Sequence, residues 1–152
     1  MKKHKFTIFL LIVVLALLGL AYYSFLTYQQ TTVSINGFVF KTDVVKNAKE
    51  LERGLSGQET LADDQAMLFI FPDKNKRVFW MKEMNFNIDL LWIDGDKVIA
   101  YEKNMPAPDK NQLLDALVKY NSPSAVDKVL EIKAGLIDVL GIKVGDIIKF
   151  NI

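Results

Sequence analysis

Residues 77–94 read RVFWMKEMNFNIDLLWID, from Arg77 to Asp94. Two apolar runs in this stretch carry both tryptophans of the chain, Trp80 and Trp92, with Lys82, Glu83 and Asp89 set among them. Side chains alternate along an extended strand, so Trp80 and Lys82 project together from 77–82, and Asp89 shares a face with Leu91 and Ile93. A carboxylate in line with core residues requires a partner, and Lys82 or Arg53 is the expected one. The segments 77–82 and 88–94 thus predict the central pair of strands of a β-rich domain.

Upstream, Thr31–Ile35 and Phe38–Val45 are β-branched and aromatic, and Asn36-Gly37 between them is the pair that a tight type I′ hairpin turn prefers. Asn47 followed three residues later by Glu50 predicts a helix start, and Gly54 supplies its left-handed stop. Residues 56–65 read as a surface loop, then Ala66–Phe71 as a strand closed by Pro72-Asp73 and a charged turn through Lys76. Downstream, Asp94-Gly95-Asp96 turns the chain into a strand over Lys97–Lys103. Leu113, Leu114, Leu117 and Val118 have the spacing of a short surface helix, Lys128–Ile132 resumes a strand, and Ala134–Leu140 is helical up to Gly141. Gly145-Asp146 then delivers a last strand over Ile147–Asn151. Many short strands with brief helices between them define an α+β class: a β-rich, mostly antiparallel sheet, curled or closed into a small barrel, with two or three short helices.

One transmembrane helix is expected ahead of this domain. Met1–Lys5 form a basic leader, Phe6–Leu26 are 21 uncharged, largely apolar residues, 27–30 are a spacer, and 31–152 are the domain. The lysines keep the N-terminus in the cytoplasm, which places a single-pass anchor in the cytoplasmic membrane and the domain outside it, with Tyr22, Tyr23 and Tyr28 as an interfacial belt. The alternative is a signal peptide cleaved near Gly19-Leu20-Ala21 and a secreted domain, although the apolar run is longer than a usual signal core.

Charge and composition exclude several function classes. Of 19 basic and 18 acidic residues, Lys2, Lys3 and Lys5 belong to the leader, so the rest holds 16 against 18 and offers no footprint for nucleic acid. Cysteine is absent and the single histidine is His4, which excludes thiol nucleophiles, disulfides and imidazole catalysis in the domain. No cofactor or metal site is read, and any bound metal would be a hard, oxygen-seeking ion.

The candidate binding residues are Arg53, Trp80, Lys82 and Asp89, an aromatic face and charged groups of the kind that stack on and orient a sugar or other flat group. Tyr120, Ser122 and Glu131 are candidates for the same wall; read alone, they are loop packing, a turn hydroxyl and a solvated strand charge. A structural reading stands beside the functional one, in which the tryptophans fill a small core and Asp89 pairs with a cation or caps the backbone of the 83–87 loop. Two catalytic arrangements are conceivable, a Ser56–Lys82 pair and an Asp89–Glu131 carboxylate pair for hydrolysis, but no motif spacing requires either. The reading is therefore a non-catalytic binding or accessory module for an envelope glycan or a protein partner, with an envelope-associated hydrolase using Lys82, Asp89 and Glu131 as the alternative.

From Glu52-Arg53-Gly54-Leu55 through Met67-Leu68-Phe69-Ile70-Phe71, Phe79-Trp80-Met81-Lys82 and Ile88-Asp89-Leu90-Leu91-Trp92-Ile93-Asp94, the chain resembles the domain of unknown function 192 family, also called uncharacterised protein family 0127. Val129-Leu130-Glu131, Ala134-Gly135 and Gly145-Asp146 continue the resemblance, which spans Val33 to Phe150. It implies a small β-rich domain often found behind a signal or anchor, and no established activity. Ala66-Met67 replaces the family's usual Gly-Met, Glu83-Met84 follows Trp-Met-Lys where Asn-Thr is common, and Asn87-Ile88 precedes Asp89 where a proline is expected.

Overall fold

The computed structural model describes residues 8–19, 29–109 and 111–152. Strands β1 (Gln29–Ile35) and β2 (Phe38–Val45) form the expected hairpin. Asn36 and Gly37 have φ of 50° and 83°, as a type I′ turn demands. Residues 29–30 of the expected spacer are strand.

After β2 the chain enters a short helix, α2 (Ala48–Arg53), numbered after a helical stretch, α1, described over residues 8–19. Asn47 Oδ1 accepts the Glu50 N–H at 3.0 Å, and Glu50 Oε2 reaches back to the Lys46 N–H at 3.2 Å, so two donors at the helix start are satisfied. At Gly54 φ is 50°, and a Cβ there would come within 3.1 Å of the Phe69 ring, so both backbone and space call for glycine.

Strand β3 (Gln65–Asn75) returns parallel to β2 and runs past Pro72, beyond the expected end at Phe71. Its ladder with β8 lapses between Ile70 and Asn75, where a proline without an N–H is tolerated. The quoted stretch departs further from expectation. Only Val78–Phe79 form a strand there, β4, and it pairs with β7 (Tyr120–Asn121) in a separate two-stranded ribbon instead of with β5 (Ile88–Asp94). The physical reason is Phe79: its ring meets Phe69, Phe71 and Trp92 edge-on, at 4.9, 6.5 and 5.5 Å between centroids. Residues 77–82 therefore lie across the sheet as a cover layer.

Strand β6 (Lys97–Met105) follows β5 through the expected turn. The expected helix at 113–118 is a single 3₁₀ turn, Leu114–Ala116, with Leu113, Leu114 and Val118 exposed and Leu117 buried. Strand β8 (Val126–Lys133), helix α3 (Leu136–Val139) and β9 (Lys149–Phe150) complete the chain. The seven-stranded sheet has the order β6-β5-β8-β3-β2-β1-β9, with β2–β3 its parallel pair. The sheet curls until its two edges meet at one end. There Ile147, just before β9, bridges Lys97, while Val98 N–H donates to Asp146 O at 2.9 Å and Gly145 N–H to Val98 O at 2.8 Å.

Both faces are covered. The inner cluster takes Val33, Phe40, Leu68, Leu91, Leu130 and Ile148 from around the curl, and Leu136 and Ile137 of α3 plug it. The outer cluster, built on Met67, Phe69, Leu90, Trp92 and Val129, is roofed by Leu55, Leu61, Met81 and Met84. The β-rich α+β expectation and the alternation along β5 hold.

Of the expected anchor, residues 6–7 and 20–26 lie outside the described residues, as do the leader 1–5 and spacer residues 27–28. Among the described residues no helix is long and apolar enough to cross a membrane.

Leu130, fully buried in the inner cluster, provides the measure of this packing. Leu130→Ala is expected to lower unfolding free energy by about 3 kcal/mol in urea denaturation, from lost transfer energy plus the cavity left behind.

Candidate functional site

Asp89 is 1% exposed and its carboxylate is held by backbone amides. Oδ1 accepts the Asn104 N–H at 2.8 Å, and Oδ2 accepts the N–H groups of Gly135 at 3.0 Å and Ile137 at 2.9 Å. Each partner is an amide the fold would otherwise orphan. Asn104 has φ of 49° in a β-bulge opposite Asp89, and Gly135, at the N-cap of α3, has no side chain to cap with. The expectation that Lys82 partners Asp89 is corrected: the Lys82 ammonium lies 3.8 Å from Glu83 Oε1.

Asp89 also stands apart from Glu131. Asp89 is registered with Ile132 of the inner cluster, whereas Leu90 of the outer cluster is registered with Glu131, so the two carboxyl groups point to opposite faces of the sheet. They cannot converge on one substrate bond. The Ser56–Lys82 pair is likewise redirected, because Ser56 Oγ donates to the Lys82 carbonyl oxygen at 2.8 Å.

The two tryptophans have opposite fates. Trp92 is fully buried and donates its indole N–H to Glu102 Oε1 at 3.4 Å. Trp80 is 42% exposed beside exposed Val78, on the outward side of the β4 cover layer. Lys82 is half-buried, and Arg53 is exposed at the end of α2. The turn after α2 docks on the segment carrying Lys82: Gly57 N–H donates to Glu83 O at 2.9 Å. Ser122 is a buried turn hydroxyl, accepting the Arg77 N–H at 2.9 Å and donating to Ser124 O at 2.7 Å. Tyr120 packs against the outer cluster, and burial, followed by the charge of Glu102, raises its phenol above the usual range.

Glu131 is corrected from a solvated charge to a buried one. It is 5% exposed, Oε2 has no hydrogen-bond partner among the described residues, and burial pushes its carboxyl up to about 8. Sequence reasoning missed the flanking clefts. One of about 410 Å³ is lined by Gln30, Lys41, Asp43, Leu55, Gln58 and Gln65. A second of about 700 Å³ lies among Gly57, Glu83, Met84, Asn85, Asp109 and Leu117. Its polar residues come from separate loops, so no local pattern announces it.

These features define a small α+β domain with a curled, doubly covered sheet and a buried acid beneath the outer cover. The chain belongs to the DUF192 family, described as an uncharacterized ACR, whose model matches residues 31–150. No curated protein matches. Among solved structures, a protein provisionally assigned as a transcription regulator from Sinorhizobium meliloti 1021 is similar with a TM-score of 0.72 and 24% identity, over 82% of this chain and 96% of that one. A protein of unknown function from Novosphingobium aromaticivorans DSM 12444 has a TM-score of 0.67 and 26% identity, over 79% and 83%.

Two outcomes follow for the carboxyl groups. Asp89→Ala leaves three amides without their acceptor, that of Ile137 buried, and is expected to cost about 3 kcal/mol in denaturation experiments, with Asp89→Asn recovering part of it. Glu131 binds its proton more tightly folded than unfolded, so its contribution to stability is complete below about 4.5 and is lost as pH rises through about 8. Glu131→Gln should remove up to ~1.4 kcal/mol per pH unit of slope across that window and make the protein more stable at neutral pH.

Proposed function

We propose that this chain is a non-catalytic binding or accessory module, anchored in the cytoplasmic membrane by the apolar run 6–26 and displaying its domain outside to an envelope glycan or a protein partner. The observation that carries the binding role is the exposure of Trp80 while Trp92 is sealed in the core. A flat, exposed aromatic beside an apolar neighbour is the kind of surface on which a sugar ring or a partner's apolar side chain settles. Lys82, two residues on, supplies charge beside that segment, and Arg53 is exposed at the end of α2. What weighs against the hydrolase alternative is the division of labour among its candidate acids: Asp89 is committed to amides and Glu131 faces the other way. The anchor rests on 21 consecutive uncharged residues behind a basic leader.

Full-length protein in detergent, titrated with soluble envelope glycans and fractionated envelope proteins, should show a saturable shift in tryptophan emission that Trp80→Phe abolishes. Trp92 provides the unchanging background. An emission spectrum indifferent to every fraction would sink the Trp80 surface. Topology is read separately: a reporter fused after Ile152 should be active only outside the cytoplasm, and cytoplasmic activity would overturn the orientation.

A further inference from the structure

Register places six residues in one line across the outer face of the sheet. Gln30 is opposite Asp43, Asp43 opposite Met67, Met67 opposite Glu131, Glu131 opposite Leu90, and Leu90 opposite Glu102. The Asp43 end opens into the 410 Å³ cleft. The centre is closed by the cover of Leu55, Leu61, Met81 and Met84. This cover consists of two irregular segments, 55–61 and 81–85, neither of which belongs to a ladder. Three hydrogen bonds join them: Ser56 Oγ to Lys82 O at 2.8 Å, Gly57 N–H to Glu83 O at 2.9 Å, and Asn85 Nδ2 to Gln58 O at 2.8 Å. Glu83, at the crown, has φ of 56° without being glycine. The 410 Å³ cleft reaches the cover at Leu55 and Gln58, and the 700 Å³ cleft reaches it at Gly57 and Met84. The cover is therefore a bridge between two open clefts, held by these three hydrogen bonds and by the burial of Leu55, Leu61, Met81 and Met84.

Beneath the bridge, Oε2 of Glu131 is sealed without a partner. A buried acceptor left unmade is destabilising, and an apolar side chain would fill the position without that cost. What Oε2 lacks is a hydrogen-bond partner. We propose that the two clefts and the space under the bridge form one concealed groove in which Glu131 receives an alkylammonium or guanidinium group, carried by a basic side chain of an extended peptide or by a free polyamine. The rim favours a cation: Asp43 stands on one side, and Glu83 and Asp109 on the other. The lysines nearest the rim already face acids, Lys41 with Asp64 at 2.8 Å and Lys82 with Glu83 at 3.8 Å. Charge-assisted hydrogen bonds to a desolvated carboxylate are strong and reject a neutral analogue. Because Glu131 is protonated when unoccupied at neutral pH, each ammonium bound displaces one proton from it to solvent. This groove is independent of the Trp80 surface.

The test is calorimetry on the full-length protein in detergent with 1,4-diaminobutane, N-acetyl-lysine amide within a short extended peptide, and 1-butanol as the neutral control. Saturable binding of an amine with proton release is expected, weakened at least tenfold by Glu131→Gln. The glutamine is isosteric and removes a buried acid, so the variant remains folded. Tighter binding of the peptide assigns the groove to a protein segment, and tighter binding of the diamine to a free polyamine. Absence of saturable binding by both amines, or equal affinity in Glu131→Gln, overturns the proposal.

Discussion

The Asp89 carboxylate joins three parts of the fold that nothing else brings together so economically. It sits on β5, closes the bulge of β6 through Asn104, and caps α3 through Gly135 and Ile137. An α3 of four residues has no independent stability, and its first amides face the interior of the curl. Carboxyl oxygens accepting amides at that helix start replace the cap its glycine cannot supply. Leu136 and Ile137 then plug the inner core, so one carboxyl group determines whether the curl has a stopper.

The sheet's outer face follows a different logic. Its centre is as apolar as the inside, but its cover is made of loops and a two-stranded ribbon pinned by Phe79. Regular strands thus form the floor, and irregular segments form the layer above it. The acid on that floor, Glu131, is placed by a regular ladder on both sides and cannot move away from its position.

Local chemistry was legible in the sequence, and partnership over distance was not. Asn36-Gly37 specifies its turn, and Asn47 with Glu50 specifies the helix start, because each decision is taken within four residues. The alternation along 88–94 correctly separated Asp89, Leu91 and Ile93 from Ile88, Leu90 and Trp92. The partners of Asp89 lie 15, 46 and 48 residues away and are backbone amides, which carry no sequence signature. Trp80 and Trp92 look equivalent in the sequence, yet one lies outside a cover layer and the other beneath it. Glu131 misled for a related reason: alternation marks the solvent side of a strand only when one face is bare, and β8 is covered on both.

The meeting of the sheet's edges also has a temporal meaning. β1 pairs with β9, and residues 145–148 clasp the start of β6, so the first and last strands of the domain are neighbours. Until residues 145–150 have been synthesised, β1 remains an unpaired edge and the curl has no clasp. Contacts of such long sequence separation form late and slowly, so the curl is among the last features of the domain to lock.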